Sequence, residues 1–289
     1  MFSKIKLYIN LMRLNKPVGI YLVLWPALWA LWLAAEGTPP GLVLLVFILG
    51  AIVVRSAGCV INDYADRHWD GAVARTCDRP LATGEIKPRD ALLLFAALGL
   101  VGFGLVLLLN PLTIMLAIVA LFLTGLYPYT KRFTHWPQVF LGLAFAWAVP
   151  MGFAAVQNTV PHQAWWVFAI TLLWTLIYDT MYAMTDKPDD LKVGIKSTAI
   201  LFGDYDRLII GLLQILMLGM LLVMAKLFDL NAIYYVSLIL VAVLFVYHQW
   251  LIKDRDRALC FKAFKHNHWV GLVVLLGLIL NYSAPFQLL

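Results

Sequence analysis

The sequence predicts an all-α integral membrane protein, and three observations support this fold class. Hydrophobic residues make up 63% of the 289 residues and charged residues only 13%, whereas a soluble domain has about 45–50% apolar and about 25% charged residues. The apolar residues form runs close to the ~18–20 residues with which a helix spans a bilayer. These runs are rich in Leu and Val and do not alternate with polar residues, so the spans are helices rather than barrel strands.

The positions of the apolar runs predict about nine membrane-spanning helices. We place them at residues 18–35, 41–61, 91–109, 112–129, 138–156, 163–182, 207–226, 232–252 and 269–286. Turn-forming residues occupy the breaks, as in Gly37-Thr-Pro-Pro40 and Asn110-Pro111. Residues 1–289 are therefore expected to form a single transmembrane domain.

The distribution of basic residues predicts the orientation of the chain. All but two of the 22 Lys and Arg residues lie in the N-terminal segment or in loops on one side of the predicted spans; the exceptions are Arg55 and Lys226. Basic loops are typical of the cytoplasmic side, so we expect a cytoplasmic N-terminus and, with nine spans, an external C-terminus. The net charge of +6 follows from this asymmetry, and no nucleic-acid partner is expected.

The charged stretch after the second predicted span contains a first group of candidate ligands. If that helix continues, Arg55, Asn62, Asp66 and Asp70 fall within about 60° of one another at about 100° per residue. Asp63 lies beside this stripe. The helix end thus presents an amide and several carboxylates, with an arginine two turns deeper. Ionisable groups at membrane depth are costly and are usually functional.

A second group of acidic residues lies at the end of the sixth predicted span. Asp179, Asp186 and Asp190 are spaced so that they share one helix face. If Pro188 ends the helix early, Asp189 takes the place of Asp190. Both acidic groups lie on the side of the membrane that we predict to be cytoplasmic.

Two facing carboxylate stripes beside basic residues favour a site for Mg²⁺ and a diphosphate. Mg²⁺ is typically held by one or two carboxylates and by phosphate oxygens of a substrate, and basic side chains complete the charge balance. The predicted metal ligands are Asn62, Asp63, Asp66, Asp70, Asp186 and Asp190. The predicted diphosphate-binding residues are Arg67, Arg79, Lys131, Arg132 and Lys196. Within a membrane, such a site predicts a lipid diphosphate as the substrate.

Two competing interpretations fit the sequence less well. The segment from Asp70 to Arg75 resembles the core of CDP-alcohol phosphotransferases, but Asp66 is one residue too far from Asp70, and Pro88 stands where a further aspartate is required. We interpret this similarity as chance. An anion transporter would have helices broken by Gly or Pro near mid-membrane, whereas the charges here gather at one membrane face.

Several motifs together resemble the UbiA-type intramembrane aromatic prenyltransferases. They are N-D-x-x-D-x-x-x-D at 62–70, DRPLATGEI at 78–86, YPYTKR at 127–132 and the second aspartate motif at 179–190. Segments 13–26, 55–67 and 178–203 are most similar to bacterial members that act on 4-hydroxybenzoate in ubiquinone biosynthesis. A relative that acts on another aromatic acceptor is the alternative within the same family.

The resemblance implies helices around a central cavity, capped on the cytoplasmic side by loops at about 62–90 and 183–206. It implies that a polyprenyl group passes from polyprenyl diphosphate to the ring carbon ortho to the hydroxyl of 4-hydroxybenzoate, with release of diphosphate. The expected cofactor is Mg²⁺, and the expected partners are the two substrates and membrane lipid. The expected location is the bacterial inner membrane, with the active site facing the cytoplasm.

Two residues deeper than the aspartate stripes are candidates for catalysis. Asp179 is expected either to accept a proton from the phenol or the alkylated ring, or to orient Mg²⁺. Arg55 is expected either to pair with the benzoate carboxylate, or to form a buried ion pair with Asp179 or Asp63. The aromatic residues that could stabilise an allylic cation, or else serve membrane packing, are Trp25, Trp29, Trp174, Tyr178 and Tyr182.

Overall fold

A computed structural model describes residues 2–283 of the chain, and their regular structure is helical. The α-helices are α1 (Phe2–Leu11), α2 (Val18–Ala35), α3 (Gly41–Asp66), α4 (Pro88–Val106), α5 (Pro111–Thr130), α6 (Pro137–Ala146), α7 (Ala148–Gln157), α8 (His162–Val193), α9 (Thr198–Phe202), α10 (Asp206–Leu227), α11 (Ala232–Leu251), α12 (Arg257–His266) and α13 (His268–Ser283). Two short 3₁₀ turns, Asp70–Ala72 and Gly203–Tyr205, complete the elements in this range.

Within residues 2–283, nine helical segments are long and apolar enough to span a membrane. Six of them are single helices, and the other three are the pairs α6 with α7, α9 with α10, and α12 with α13. The all-helical fold with nine spans is thus confirmed. The predicted end of the last span at residue 286, and the C-terminus itself, lie outside the described residues.

Proline and glycine set the limits of several spans. Pro88, Pro111 and Pro137 stand in the first turn of α4, α5 and α6, where the missing N–H has no helical partner to lose. Gly194 ends α8 with φ +75°, a left-handed conformation that glycine adopts without steric cost. Proline therefore marks the observed starts of α4, α5 and α6 close to the predicted ones, whereas Gly194 ends α8 beyond its predicted end at residue 182.

Two helices run further than predicted, and one acidic residue lies off its predicted helix. α3 continues to Asp66 and α8 to Val193, because their last turns bury one polar face that a hydropathy pattern does not reveal. Pro188 lies inside α8 and does not end it. The expected loop at 183–206 is therefore mostly helical. Asp70 was expected on the α3 stripe, which is wrong, since α3 ends before it and Asp70 starts a 3₁₀ turn.

The tightest packing surrounds α8, which contacts α6, α10 and α12. Trp29 of α2 donates its Nε1–H to the carbonyl of Gly271 at 2.9 Å and stacks on Trp174 at 5.3 Å between ring centroids. Tyr178 packs edge-on against Trp174. These three aromatic side chains are completely or almost completely buried in the core. Packing in the core therefore accounts for their burial.

Candidate active site

The last turn of α3 brings the first aspartate motif next to the end of α5. The Tyr127 hydroxyl donates to the Asn62 side-chain oxygen at 3.1 Å. Lys131, which follows α5, forms an ion pair with Oδ2 of Asp66. The other oxygen of Asp66, Oδ1, is buried and has no hydrogen-bond partner among the described residues. An unpaired buried carboxylate oxygen is costly, which marks this atom as an available cation ligand.

Asp63 is held by two arginines. Arg13 donates from Nη2 to both of its oxygens, at 2.9 and 2.8 Å, and Arg79 lies 3.0 Å from its Oδ1. The Asp63 side chain is only 1% exposed. Both oxygens of Asp63 are thus engaged by guanidinium groups, as are those of Asp70 and Asp186, and its role as a metal ligand stays a prediction.

Asp70 lies beyond the end of α3, but its side chain still belongs to the same charged cluster. Arg79 donates to both of its oxygens at 3.0 and 2.9 Å, and the Thr76 hydroxyl donates to its carbonyl oxygen at 2.9 Å. Burial raises the pKa of the Asp70 carboxyl to about 6, while the charge of Arg79 acts in the opposite direction. Arg79 therefore connects Asp63 and Asp70 within one folded loop.

The second aspartate motif lies on the last turns of α8. Arg75 donates from Nε to Oδ1 of Asp186 at 3.0 Å and from Nη2 to Oδ2 at 2.6 Å. Asp189 accepts from Arg257 at 2.7 Å. Asp190 is buried, and within residues 2–283 its carboxylate accepts no hydrogen bond. Because α8 continues through Pro188, Asp190 keeps its predicted helical position, and Asp189 is engaged by an arginine instead.

Three segments join the two motifs at one end of the bundle. Arg75 reaches Asp186 from the loop after α3, and the backbone N–H of Ala74 in the same loop donates to Asp189 at 3.4 Å. The backbone N–H of Lys196 donates to the carbonyl of Lys131 at 3.1 Å. The loops that follow α3, α5 and α8 therefore meet around the aspartates.

The predicted diphosphate-binding residues occupy different positions relative to this cluster. Lys131 and Arg79 contact aspartates directly. Arg67 donates to the carbonyl of Tyr64, and Arg132 donates to that of Ala65, so both lie against the end of α3. The Lys196 ammonium group contacts the Phe133 carbonyl at 3.3 Å, away from the carboxylates.

Three arginines of the cluster were not predicted from the sequence: Arg13, Arg75 and Arg257. Arg75 also lies over the Tyr182 ring, 4.6 Å from its centroid. The number of carboxylates expected to be buried could have indicated these arginines, because each buried charge requires a partner. Arg75 belongs to the segment that resembles CDP-alcohol phosphotransferases, and its partner Asp186 lies 111 positions further along the chain.

An apolar cavity of about 280 Å³ lies between α3, α4 and α5 and reaches α6 and α7. Its polar lining includes Arg55, Thr124 and Tyr127. Since Tyr127 donates to Asn62, this part of the cavity adjoins the first aspartate motif. The cavity therefore extends from the first aspartate motif along the apolar faces of these helices.

Arg55 approaches the backbone of α2 at Gly19, where any added Cβ atom would overlap its guanidinium. Its Nε is buried without a hydrogen-bond partner among the described residues. Within the same range no carboxylate oxygen lies within 4.0 Å of Arg55, so this structure shows no direct ion pair of Arg55 with Asp179 or Asp63. Asp63 is paired with Arg13 and Arg79 instead.

Among residues 2–283, no group of three or more Asp, Glu, His or Cys side chains is already arranged around a metal position. Arginines engage Asp63, Asp70, Asp186 and Asp189. Asp66 and Asp190 retain carboxylate oxygens without such partners, and the Asn62 oxygen lies on the same helical turn as Asp66. These are the hard oxygen donors that Mg²⁺ requires, so the residues fit a divalent cation.

Comparison with known proteins extends over nearly the whole chain. The chain is 59% identical over 279 residues to a 4-hydroxybenzoate octaprenyltransferase of Hydrogenovibrio crunogenus, covering 96% of this chain and 98% of that protein. It is 55% identical over 274 residues to a protein of the same name from Alkalilimnicola ehrlichii, covering 95% and 94%. The model of the UbiA prenyltransferase family matches residues 23–271.

Solved structures agree with the helical architecture. An apo UbiA homolog from Aeropyrum pernix K1 has a TM-score of 0.79 at 24% identity, covering 90% of this chain and 97% of that one. A UbiA homolog from Archaeoglobus fulgidus, solved with GPP and Mg²⁺ bound, has a TM-score of 0.73 at 18% identity, covering 94% and 99%. The family match and the identity to curated relatives together show that this chain belongs to the UbiA prenyltransferase family.

Proposed function

We propose that the chain transfers a polyprenyl group from polyprenyl diphosphate to 4-hydroxybenzoate, at the ring carbon ortho to the hydroxyl, and releases diphosphate in ubiquinone biosynthesis. The observation that carries the proposal is the hydrogen bond from Tyr127 to Asn62. Tyr127 lines the apolar cavity, and Asn62 begins the first aspartate motif. The apolar cavity can therefore hold the prenyl chain, and the adjacent aspartate motif can hold the diphosphate. The similarity to 4-hydroxybenzoate octaprenyltransferases supports the choice of acceptor.

In this proposal, Asn62, Asp66 and Asp70 on one side and Asp186 and Asp190 on the other would hold Mg²⁺. Mg²⁺ bound there supplies positive charge that stabilises the departing diphosphate. The structures of Archaeoglobus fulgidus homologs with Mg²⁺ and with Cd²⁺ support the use of a divalent cation. Asp63 serves the site indirectly, because it fixes Arg13 and Arg79.

The basic side chains bind and orient the diphosphate. Lys131 is closest to the first motif through its pair with Asp66, and its ammonium can donate to phosphate oxygens. Arg67, Arg79, Arg132 and Lys196 surround the same end of the bundle and add positive charge. As the allylic C–O bond breaks, these fixed charges stabilise the negative charge on the leaving oxygen. The apolar cavity walls exclude water from the allylic carbon.

The acceptor is positioned by Arg55 and is deprotonated with the help of Asp179. Arg55 has donors without protein partners beside the cavity, and a guanidinium binds a carboxylate through two parallel hydrogen bonds. The benzoate carboxylate is the group that fits there. Asp179, two turns before Asp186 on α8, accepts the proton released when the ring carbon is alkylated.

We also propose that the aspartate end of the bundle faces the cytoplasm of a bacterial inner membrane. The excess of Lys and Arg in the loops at that end supports this orientation. Cysteine accessibility tests it: among single-cysteine variants in intact cells, a residue at position 89 should resist a membrane-impermeant thiol reagent. A residue at position 229, between α10 and α11, should react with it.

The enzymatic proposal is tested with purified protein, labelled 4-hydroxybenzoate and geranyl diphosphate. We expect a prenylated acid in the presence of Mg²⁺ and none after chelation. The Asp66→Asn variant should be inactive, and Arg89→Ala, which changes an exposed residue outside the site, should be active. Product formation with other aromatic acids but not with 4-hydroxybenzoate would assign a different acceptor. Absence of product with every divalent metal would reject the proposal.

A further inference from the structure

A second concavity lies on the outer surface of the bundle, between α10 and α11, with a volume of about 580 Å³. Much of its lining is apolar and more than half exposed, as at Leu208, Ile215 and Val246. Such side chains face lipid in a membrane-spanning bundle. Unexpectedly for such a surface, the groove also contains three polar residues, Arg207, Gln214 and Gln249.

The two glutamines leave one amide group without a partner. The Gln249 Nε2 donates to the side-chain oxygen of Gln214 at 3.0 Å and to the backbone carbonyl of Arg207 at 3.4 Å. The contact with the Arg207 carbonyl favours this orientation of the Gln249 amide, in which Gln214 presents its side-chain oxygen to the Gln249 nitrogen. The Gln214 Nε2 therefore points away from Gln249. This nitrogen is buried without a partner among the described residues, in a side chain only 3% exposed.

Arg207 places a positive charge at the mouth of the groove. Its side chain is exposed, and within residues 2–283 it has no carboxylate oxygen within 4.0 Å. The neighbouring Asp206 is instead engaged by Lys187 at 3.2 Å and by Arg255 at 2.9 Å. Since Lys187 belongs to the last turns of α8, the mouth opens on the same membrane face as the aspartate motifs. Gln214 lies two turns, or about 10 Å, further along α10.

We propose that this groove binds one membrane phospholipid. Its phosphate pairs with Arg207, one ester carbonyl accepts a hydrogen bond from the Gln214 amide, and an acyl chain lies along Ile215 and Val246. The groups of a phospholipid and the polar residues of the groove follow the same order of depth in the membrane. The ester carbonyls lie deeper than the phosphate, and Gln214 lies deeper than Arg207. A prenyl diphosphate has no carbonyl for the unpartnered amide, and inorganic phosphate has no chain for the apolar wall.

The test is a titration of the purified full-length protein in detergent with phosphatidylglycerol, followed by native mass spectrometry. Wild type should retain one lipid more tightly than the others. Arg207→Ala should weaken that binding by about tenfold, because a charge-assisted hydrogen bond is lost. Gln214→Leu should weaken it by about fivefold through loss of a neutral hydrogen bond. The matched control, Arg89→Ala, removes an equally exposed arginine outside the groove and should bind as wild type.

Thermal unfolding with and without the lipid separates binding from folding. Gln214→Leu removes a buried donor that lacks a partner, but it also removes the oxygen that accepts from Gln249. These two effects oppose each other, so its lipid-free unfolding midpoint should stay close to that of wild type. The rise in midpoint on adding phosphatidylglycerol should be large for wild type and Arg89→Ala, and small for Arg207→Ala and Gln214→Leu. Equal lipid affinity in all four proteins would overturn the proposal, as would displacement of the lipid by millimolar inorganic phosphate.

Discussion

Arg75 and Asp186 form a two-point hydrogen-bonded ion pair, from Nε to Oδ1 at 3.0 Å and from Nη2 to Oδ2 at 2.6 Å. The pair connects the loop after α3 to the last turns of α8. It also occupies the carboxylate that we propose as a Mg²⁺ ligand in the second motif. The guanidinium thus supplies a positive charge to Asp186 in the metal-free protein.

Replacement of Arg75 by Gln should destabilise the metal-free protein more than the metal-bound protein. The loss of charge-assisted hydrogen bonds to Asp186 is expected to lower the free energy of unfolding by about 1–3 kcal/mol. Mg²⁺ with a prenyl diphosphate should recover part of this loss, because a cation then neutralises Asp186. Thermal unfolding with and without these ligands measures the effect. Arg89→Gln is the control, and equal midpoints for both variants without metal would contradict the prediction.

Asp66→Asn and Asp63→Asn, three residues apart on α3, should have different effects. Asp66→Asn removes an anionic ligand, so we expect the Mg²⁺ concentration for half-maximal activity to rise and turnover to fall by about 100-fold or more. Asp63→Asn breaks the pairing with Arg13 and Arg79 and should mainly reduce stability, by about 3–5 kcal/mol for a buried pair. Mg²⁺ titrations and thermal unfolding distinguish them. An unchanged Mg²⁺ requirement in Asp66→Asn would remove that residue from the metal site.

Gly19→Ala should impair acceptor binding through Arg55. The added methyl group overlaps the guanidinium, and Arg55 must then leave its position beside the cavity. We expect KM for 4-hydroxybenzoate to rise by about tenfold, the loss of roughly one good ionic hydrogen bond, with KM for the prenyl diphosphate unchanged. Arg55→Gln should produce the same pattern. Equal changes in both KM values would instead indicate a general distortion of the cavity.

A large side chain at Gly102 should select against long prenyl chains. Gly102 of α4 lines the cavity opposite Val53 of α3, so Gly102→Phe narrows the apolar passage between these helices. Activity with long prenyl diphosphates should fall by about 10-fold or more relative to short ones, in line with the ~10–200-fold effect of one methylene misfit in an apolar pocket. Paired assays with geranyl and octaprenyl diphosphate give the ratio. Gly104→Phe, on the same helix but outside the cavity lining, serves as the control.

The nine spans could be predicted from the sequence because a spanning helix requires a minimum apolar length, and that length is visible in one dimension. The aspartate motifs could also be found, since their spacing places them on helical faces. The pairing of Asp63 with Arg13 could not be predicted, because the two residues are 50 positions apart and meet only through the packing of α1 against α3. Arg75 and Arg257 likewise depend on the paths of loops, which carry no periodic pattern.

Pro188 shows a second reason why the end of a helix could not be predicted from the sequence. A proline is usually a reliable sign that a helix ends, because it lacks an N–H and clashes with the preceding turn. In α8 the neighbouring side chains Asp186 and Asp189 are fixed by Arg75 and Arg257, and these tertiary contacts outweigh the local preference. The continuation of α8 decides that Asp190, rather than Asp189, keeps an unpaired carboxylate.

The length of α8 has a consequence for how a charged leaving group can be handled by a membrane enzyme. Its 32 residues give about 48 Å at about 1.5 Å per residue, whereas the hydrocarbon layer is only about 30 Å thick. The final turns, with Asp186 and Asp190, therefore project into the headgroup zone. In our proposal, diphosphate can leave into water without crossing the hydrocarbon core of the membrane. The isoprenoid product stays in the lipid phase. In our proposal, the protein thus separates its two products between water and lipid.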